Sequence, residues 1–220
     1  MSRSKIVVFD TGTGGKLFAK YLQAEIPAAE VITVIDTENS PYGNKKSETI
    51  RDLVEKALEP YINKVAIIAL ACNTATANAV EYLREKYPQQ FFVGFEPAVK
   101  PAGEQSQTRK VMVLATNATL KSTRYQRLRN KYCVNRGVTV YEPDCRKWAK
   151  QIDAGKLTEQ DIRKTLKKYL SEDIDFVALA CTHYNKVADQ IQKVVGDQVT
   201  VYDPFPAIVS YIKSQLPLHS

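Results

Sequence analysis

Cys72 and Cys181 stand in a repeated context. The letters ALAC occur twice, in VAIIALACNTATANAV and in DIDFVALACTHYNKV, so each thiol follows a run of apolar and small residues and precedes a polar turn. A thiol with a reference pKa of ~8.5 serves as base or as acid once its neighbours tune it. Two thiols facing one carbon from opposite sides could invert it, one removing a proton and the other delivering a proton to the opposite face. The neighbours suit that chemistry. Asn73 and Thr74 follow Cys72 at a predicted helix start, where free backbone N–H groups favour a thiolate and can hold a carboxylate. Thr182 and His183 follow Cys181 and are expected to form an equivalent turn, with an imidazole that exchanges protons near neutral pH. Asp10, ending the first predicted strand, is the matching polar partner for Cys72. Cysteine is among the most buried residue types, so either thiol alone reads as a core filler; the repetition argues otherwise. Cys133 and Cys145 lack such a context and read as structural.

The elements that must position these groups follow from the hydrophobic pattern. Short β-branched runs (KIVVF, VITVI, VAIIALA, FFVGF, KVMVLA, VTVY, DFVALA and VTVY again) alternate with longer helix-like stretches. Such alternation predicts an α/β fold with mostly parallel sheets, whose ligands sit at the carboxyl ends of the strands. The polar clusters DTGTGG, ENSPYGNK, CNTAT, TNAT and CTHY fall at those ends. The halves also echo each other: VVFDTGTGGKL then ALACNT, and VLATNATLKS then ALACTH. This predicts two pseudo-symmetric α/β lobes, residues 1–97 plus 208–220 and residues 98–207, with the active site in the cleft between them. EPAVKPAGEQSQ is expected to interrupt the pattern at the boundary, and PAIVSYIKSQL to return as a helix on the first lobe. Taken singly, DTGTGG, PYGNK and ATNAT each read as a tight turn or a cap.

With 220 residues and 44% hydrophobic content the chain can bury a real core. It has no run of 18 or more apolar residues, and MSRSKIVVFD lacks the order of segments of a secretion signal, so no membrane partner and a cytoplasmic location are expected. Four cysteines without a C-x-x-C pair suggest neither a disulfide framework nor a zinc module. Cys-Thr-His offers two metal ligands where zinc takes three or four, and the other histidine, His219, lies near the chain end. No metal is expected, and no lysine sits in a pyridoxal phosphate motif, so no cofactor is expected either. The net charge of +7 gathers in KSTRYQRLRNKYC and RKTLKKYLSED; it suits an anion, but no nucleic-acid recognition signature accompanies it.

In this order, FDTGTGG, PYGNK, ACNTATA, ATNATLKS and ACTHY resemble the motifs of the glutamate racemases within the aspartate/glutamate racemase family, over a stretch from Ile6 to about Tyr211. The resemblance implies a cofactor-independent proton transfer between L- and D-glutamate, with D-glutamate destined for peptidoglycan and so for cell-wall biogenesis and cell shape. Carried over by position, it implies Cys72 and Cys181 as the acid/base pair, assisted by Asp10 and His183. Thr11, Tyr42, Gly43, Asn73, Thr74, Thr116, Thr119 and Thr182 match positions that hold the ammonium and carboxylates of the substrate. Thr11 stands where the family usually has serine, and Ala118 where it usually has glycine. CRKWAKQIDAG corresponds to a more apolar stretch containing a glutamate, for which Asp153 is the match. Homodimers are common in the family and are the assembly the resemblance implies.

Two alternatives accompany this reading. The aspartate branch of the family typically carries a glutamate where this chain has His183, which favours glutamate over aspartate or another acidic amino acid. A non-catalytic acidic amino-acid binding protein would need neither thiol.

Overall fold

The computed structural model describes residues 3–216 of the chain, so His219 lies outside the described residues. The chain divides into two compact units: the first runs to Phe95 and resumes at Pro204, and the second spans Glu96–Asp203.

The first unit contains β1 (Lys5–Asp10), α1 (Thr13–Glu25), β2 (Glu30–Ile35), α2 (Ser47–Leu58), β3 (Ile67–Leu70), α3 (Asn73–Lys86) and β4 (Phe92–Gly94). The second contains α4 (Val99–Gln105), β5 (Lys110–Ala115), α5 (Asn117–Lys121), α6 (Thr123–Tyr132), β6 (Thr139–Tyr141), α7 (Trp148–Asp153), α8 (Glu159–Leu166), β7 (Phe176–Ala180), α9 (Ala188–Val195) and β8 (Thr200–Tyr202). The chain then returns to the first unit as α10 (Phe205–Gln215). All eight predicted strands form.

Each unit holds one four-stranded sheet, ordered β2-β1-β3-β4 and β6-β5-β7-β8, and every neighbouring pair is parallel. The order is the same when β5 is set on β1. A parallel sheet is covered on both faces, which is why its central strands read as unbroken apolar runs. In β7, Phe176, Ala178 and Ala180 join a cluster with Val99, Ala102 and Tyr125 on one face; Val177, Leu179 and the following Cys181 join Trp148, Ile162 and Ile191 on the other. In the first unit, Ile6, Val8, Ala69 and Val93 share a cluster with Phe18, Leu22 and, from α10, Phe205 and Ile212. Phe18 lies edge-on to Phe95 and Phe205, with ring centroids 4.6 and 5.0 Å away.

The segment EPAVKPAGEQSQ departs from expectation, because most of it is helix α4. Pro101 occupies the first turn, where its missing N–H costs no helical bond. Gly103 is needed for packing: a Cβ there would lie 2.0 Å from the carbonyl oxygen of Tyr132. Among the described residues, no helix is long and apolar enough to cross a membrane.

Candidate active site

The two cysteines occupy equivalent sheet positions. Phe9 of β1 stands in register with Leu70 of β3, and Leu114 of β5 with Leu179 of β7. Cys72 and Cys181 each lie two residues beyond those leucines, at the carboxyl end of a strand in the interior of its sheet. Both are buried, at 6% exposure. Their surroundings differ.

Cys72 is the N-cap of α3, and its sulfur accepts a hydrogen bond from the Ala75 N–H at 3.4 Å. A helix of 14 residues thus begins on the sulfur, and its free N–H groups and dipole favour the thiolate. The hydroxyl of Thr11 lies 3.7 Å from the same sulfur. The first turn of α3 is anchored in turn: the Thr76 hydroxyl donates to the Leu70 carbonyl at 2.8 Å and accepts from the Phe95 N–H at 2.9 Å. The Asn73 amide nitrogen donates to the Phe95 carbonyl at 2.9 Å, so this part of a side chain expected to hold substrate also holds the turn.

Asp10 is fully buried at the end of β1, and its Oδ1 accepts from the N–H groups of Thr11 at 2.5 Å and Gly12 at 3.2 Å. Gly15 in the first turns of α1 lets the helix approach that carboxylate, since a Cβ there would sit 2.1 Å from the Asp10 Cβ. At the end of β2, Asp36 accepts a hydrogen bond from Tyr42 at 2.6 Å and binds the Asn39 amide at 2.9 Å. Burial first, then the hydrogen bond and charge of Asp36, and then the charge of Cys72, push the Tyr42 phenol far above its ordinary range. It therefore remains a donor to Asp36, and the turn Tyr42–Asn44 that carries Gly43 is tied to the strand end.

Unlike Cys72, Cys181 has no α-helix starting on it. The chain makes a turn, closed by the Tyr184 N–H on the Cys181 carbonyl at 2.9 Å, and then the 3-10 helix Tyr184–Val187. The His183 Nδ1 lies 3.7 Å from the Cys181 sulfur, and its Nε2 lies 3.0 Å from Oδ2 of Asp153 at the end of α7. The carboxylate orients the ring, with Nε2 toward Asp153 and Nδ1 toward the sulfur. The Tyr184 hydroxyl donates to the Cys145 carbonyl at 3.1 Å, and burial, followed by the charges of Cys181 and Cys145, pushes this phenol up as well. Burial, then Cys181, pushes the Cys145 thiol up. Burial likewise pushes Cys133 up to about 11, and its thiol donates to the Val99 carbonyl at 3.3 Å.

Thr116 and Thr119 meet at α5. Their hydroxyls are 3.0 Å apart, and the Thr119 N–H donates to Thr116. Thr116 is the counterpart of Thr11 when β5 is set on β1. Thr182 is buried beside Cys181. Within the first unit the structure thus brings Thr11 to Cys72 and sets Asp10, Tyr42, Gly43, Asn73 and Thr74 at strand ends. Within the second it joins Asp153, His183 and Cys181. Sequence reasoning missed Asp36, Thr76, Gly15 and the pair Asn185–Asp203. A carboxylate closing the strand VITVID was the signal available for Asp36; the others act through contacts that carry no local signal.

A sequence model of the family Asp/Glu/Hydantoin racemase matches residues 16–212. The chain belongs to this family. Its activity in broad terms follows: it is an isomerase of the racemase type. The glutamate racemase of Sulfurovum sp. (strain NBC37-1) is 35% identical over 210 residues, which cover 93% of this chain and 79% of that protein. That of Aliarcobacter butzleri (strain RM4018) is 33% identical over 218 residues, covering 96% and 83%. Among solved structures, Escherichia coli glutamate racemase in complex with L-glutamate and the activator UDP-MurNAc-ala superposes with a TM-score of 0.85 at 25% identity, covering 97% of this chain and 82% of that one. Glutamate racemase from Aquifex pyrophilus gives 0.78 at 30% identity, covering 97% and 84%.

Proposed function

We propose that this protein interconverts L- and D-glutamate without a cofactor, Cys72 and Cys181 acting on opposite faces of the α-carbon, and so supplies D-glutamate for peptidoglycan in the cytoplasm. The observation that carries the proposal is the equivalence of the two thiols: corresponding strands β3 and β7 of the two sheets, the same register, and a polar partner 3.7 Å from each sulfur. Repetition of this kind suits a reaction whose two directions are chemically alike. Relatives named glutamate racemase, at 33–35% identity across most of the chain, support glutamate as the substrate.

In this reading Cys72 removes the α-proton of D-glutamate while Cys181 protonates the other face, and the roles reverse for L-glutamate. Asp10 assists Cys72 and His183 assists Cys181. The ammonium and carboxylates are held by Thr11, Gly43, Asn73, Thr74, Thr116, Thr119 and Thr182, through hydroxyls, one side-chain amide and backbone N–H groups. Tyr42 contributes through its place in the turn, its hydroxyl being given to Asp36.

The test is circular dichroism of L- and D-glutamate, with L- and D-aspartate alongside, in the absence of any added cofactor. Racemisation of glutamate is expected, and a loss of about 10²–10⁴ in rate on Cys72→Ser or Cys181→Ser, the usual cost of removing a positioned acid/base group. Near-normal racemisation by either folded variant would overturn the two-thiol assignment. Binding of glutamate without any loss of optical rotation by the unaltered protein would overturn the activity.

A further inference from the structure

Cys72 is held by the start of a long helix, whereas the turn carrying Cys181, closed by one backbone bond from the Tyr184 N–H, is tied to the rest of its unit by side chains. Three consecutive residues after Thr182 each reach a different element. His183 binds Asp153 at the end of α7, Tyr184 binds the Cys145 carbonyl before α7, and the Asn185 amide nitrogen donates to Oδ1 of Asp203 at 2.7 Å. Asp203 directly follows β8, which pairs with β7 up to Ala178↔Tyr202. The third bond therefore clamps the turn after β7 to the end of the adjoining strand. Its acceptor is a carboxylate, which makes it one of the stronger kinds of neutral-donor hydrogen bond. Oδ1 of Asn185 is buried and has no hydrogen-bond partner among the described residues, so the amide is held through its nitrogen.

We propose that Asn185 and Asp203 are positioning residues for Cys181. Their hydrogen bond fixes the turn so that the sulfur and the His183 ring keep the separation needed for proton transfer to and from substrate. The inference rests on the reading of Cys181 as an acid/base group. It predicts a one-sided defect: loosening the turn harms the step performed by Cys181 and leaves the step performed by Cys72 alone.

The experiment isolates each step by hydrogen exchange into deuterated water, followed by NMR. In a Cys72→Ser background, washout of the α-hydrogen of L-glutamate reports on Cys181; in a Cys181→Ser background, washout from D-glutamate reports on Cys72. Adding Asn185→Ala, or independently Asp203→Ala, should slow the first about ten- to a hundredfold, the scale of an ångström-sized misplacement of a reacting group, and change the second less than about twofold. Asp203→Asn keeps an oxygen to accept the bond and should retain most of the L-glutamate exchange. Thermal melting establishes that each variant is folded, and the use of two independent partners covers the loss of either to misfolding. Unchanged L-glutamate washout in folded Asn185→Ala and Asp203→Ala variants would overturn the positioning role, as would an equal loss on both sides. Persistence of L-glutamate washout in Cys72→Ser/Cys181→Ser would show instead that the two-thiol reading is at fault, and the positioning claim would fall with it.

Discussion

Gly15→Ala is expected to damage the site through one methyl group. The added Cβ would lie 2.1 Å from the Asp10 Cβ, 2.9 Å from its Cγ and 3.1 Å from its Oδ2. The first distance falls nearly 1 Å below the 3.0 Å that real Cβ contacts respect. Rotating the carboxylate relieves the two longer contacts but not the shortest, because the position of a Cβ is set by the backbone. That backbone is bound to β2 at Asp10↔Ile35 and through the Asp36 N–H on the Asp10 carbonyl at 2.9 Å, so α1 or the end of β1 must give way by about an ångström. Overpacking of this kind costs ~1–3 kcal/mol, partly offset by the ~1 kcal/mol that alanine gains over glycine within a helix. For a chain of this size the net of roughly 0–2 kcal/mol corresponds to a fall in Tm of up to about 8 °C. Because the displaced group is Asp10, and a reacting or assisting group moved by an ångström loses roughly 10²-fold, turnover should fall by that order while the protein stays folded. The assays are circular-dichroism racemisation and thermal melting. Asp10→Gly removes the clashing Cβ, so the stability penalty of Gly15→Ala should disappear in that background, a non-additivity a double-mutant cycle detects. Additive stability losses, or a folded Gly15→Ala variant with unaltered turnover, would refute the reasoning.

Asp153→Ala should slow α-hydrogen exchange of L-glutamate about tenfold in a Cys72→Ser background, by freeing the His183 ring, and NMR in deuterated water checks this. Iodoacetamide at pH 8 should leave Cys133 and Cys145 unlabelled in native protein. Burial pushes Cys133 up to about 11, leaving roughly 0.1% thiolate, and pushes Cys145 up as well. Peptide mass spectrometry that finds either labelled before Cys72 and Cys181 would contradict this. Glu55 accepts hydrogen bonds from Tyr82 at 2.6 Å and from Tyr87, and pairs with Lys86 at 2.7 Å; burial pushes its carboxyl up, but these partners outweigh it and bring it to about 2. The ionised group therefore adds stability above the unfolded value of ~4.3, and this is lost as pH falls through about 2. The melting-temperature difference between the unaltered protein and Glu55→Gln should shrink over that window. Gly103→Ala should lower Tm, because its Cβ would meet the Tyr132 carbonyl oxygen at 2.0 Å, and melting curves test it.

The central strands were legible because a parallel strand covered on both faces reads as an unbroken apolar run, the edge strands because their short runs are rich in β-branched residues, and all eight runs form strands. The helix α4 was not, because Pro101 and Gly103 carry breaker signals that lose their force where they stand: proline in a first turn, and glycine at a close approach to Tyr132. For the candidate site, a repeated tetrapeptide was enough to single out Cys72 and Cys181, and the register Phe9↔Leu70 and Leu114↔Leu179 explains why the repeat exists. The contacts that tune the thiols were less accessible. Thr11 meets a cysteine 61 residues away, Asp153 a histidine 30 residues away, and Asn185 a carboxylate 18 residues away. No periodicity encodes such pairs; they appear once the sheet order is known.

The two halves reached the same strand-end cysteine by different physical means, and this bears on how each can fail. Around Cys72 the support combines backbone, the Ala75 N–H and the first turn of α3, with the Thr76 and Asn73 side chains that anchor that turn. Among single substitutions only proline removes an N–H group, so the backbone part of this support fails mainly through changes that move the main chain. Around Cys181 one backbone bond, from the Tyr184 N–H, closes the turn, and the other supports are side chains, the His183–Asp153, Tyr184–Cys145 and Asn185–Asp203 bonds, each removable by one substitution. In the proposed scheme every turnover uses both thiols, one to remove the α-proton and the other to deliver a proton, so overall activity is limited by the more fragile side. By this reasoning single side-chain substitutions that spare folding should reduce racemisation more often in the second unit, through Cys181, than in the first.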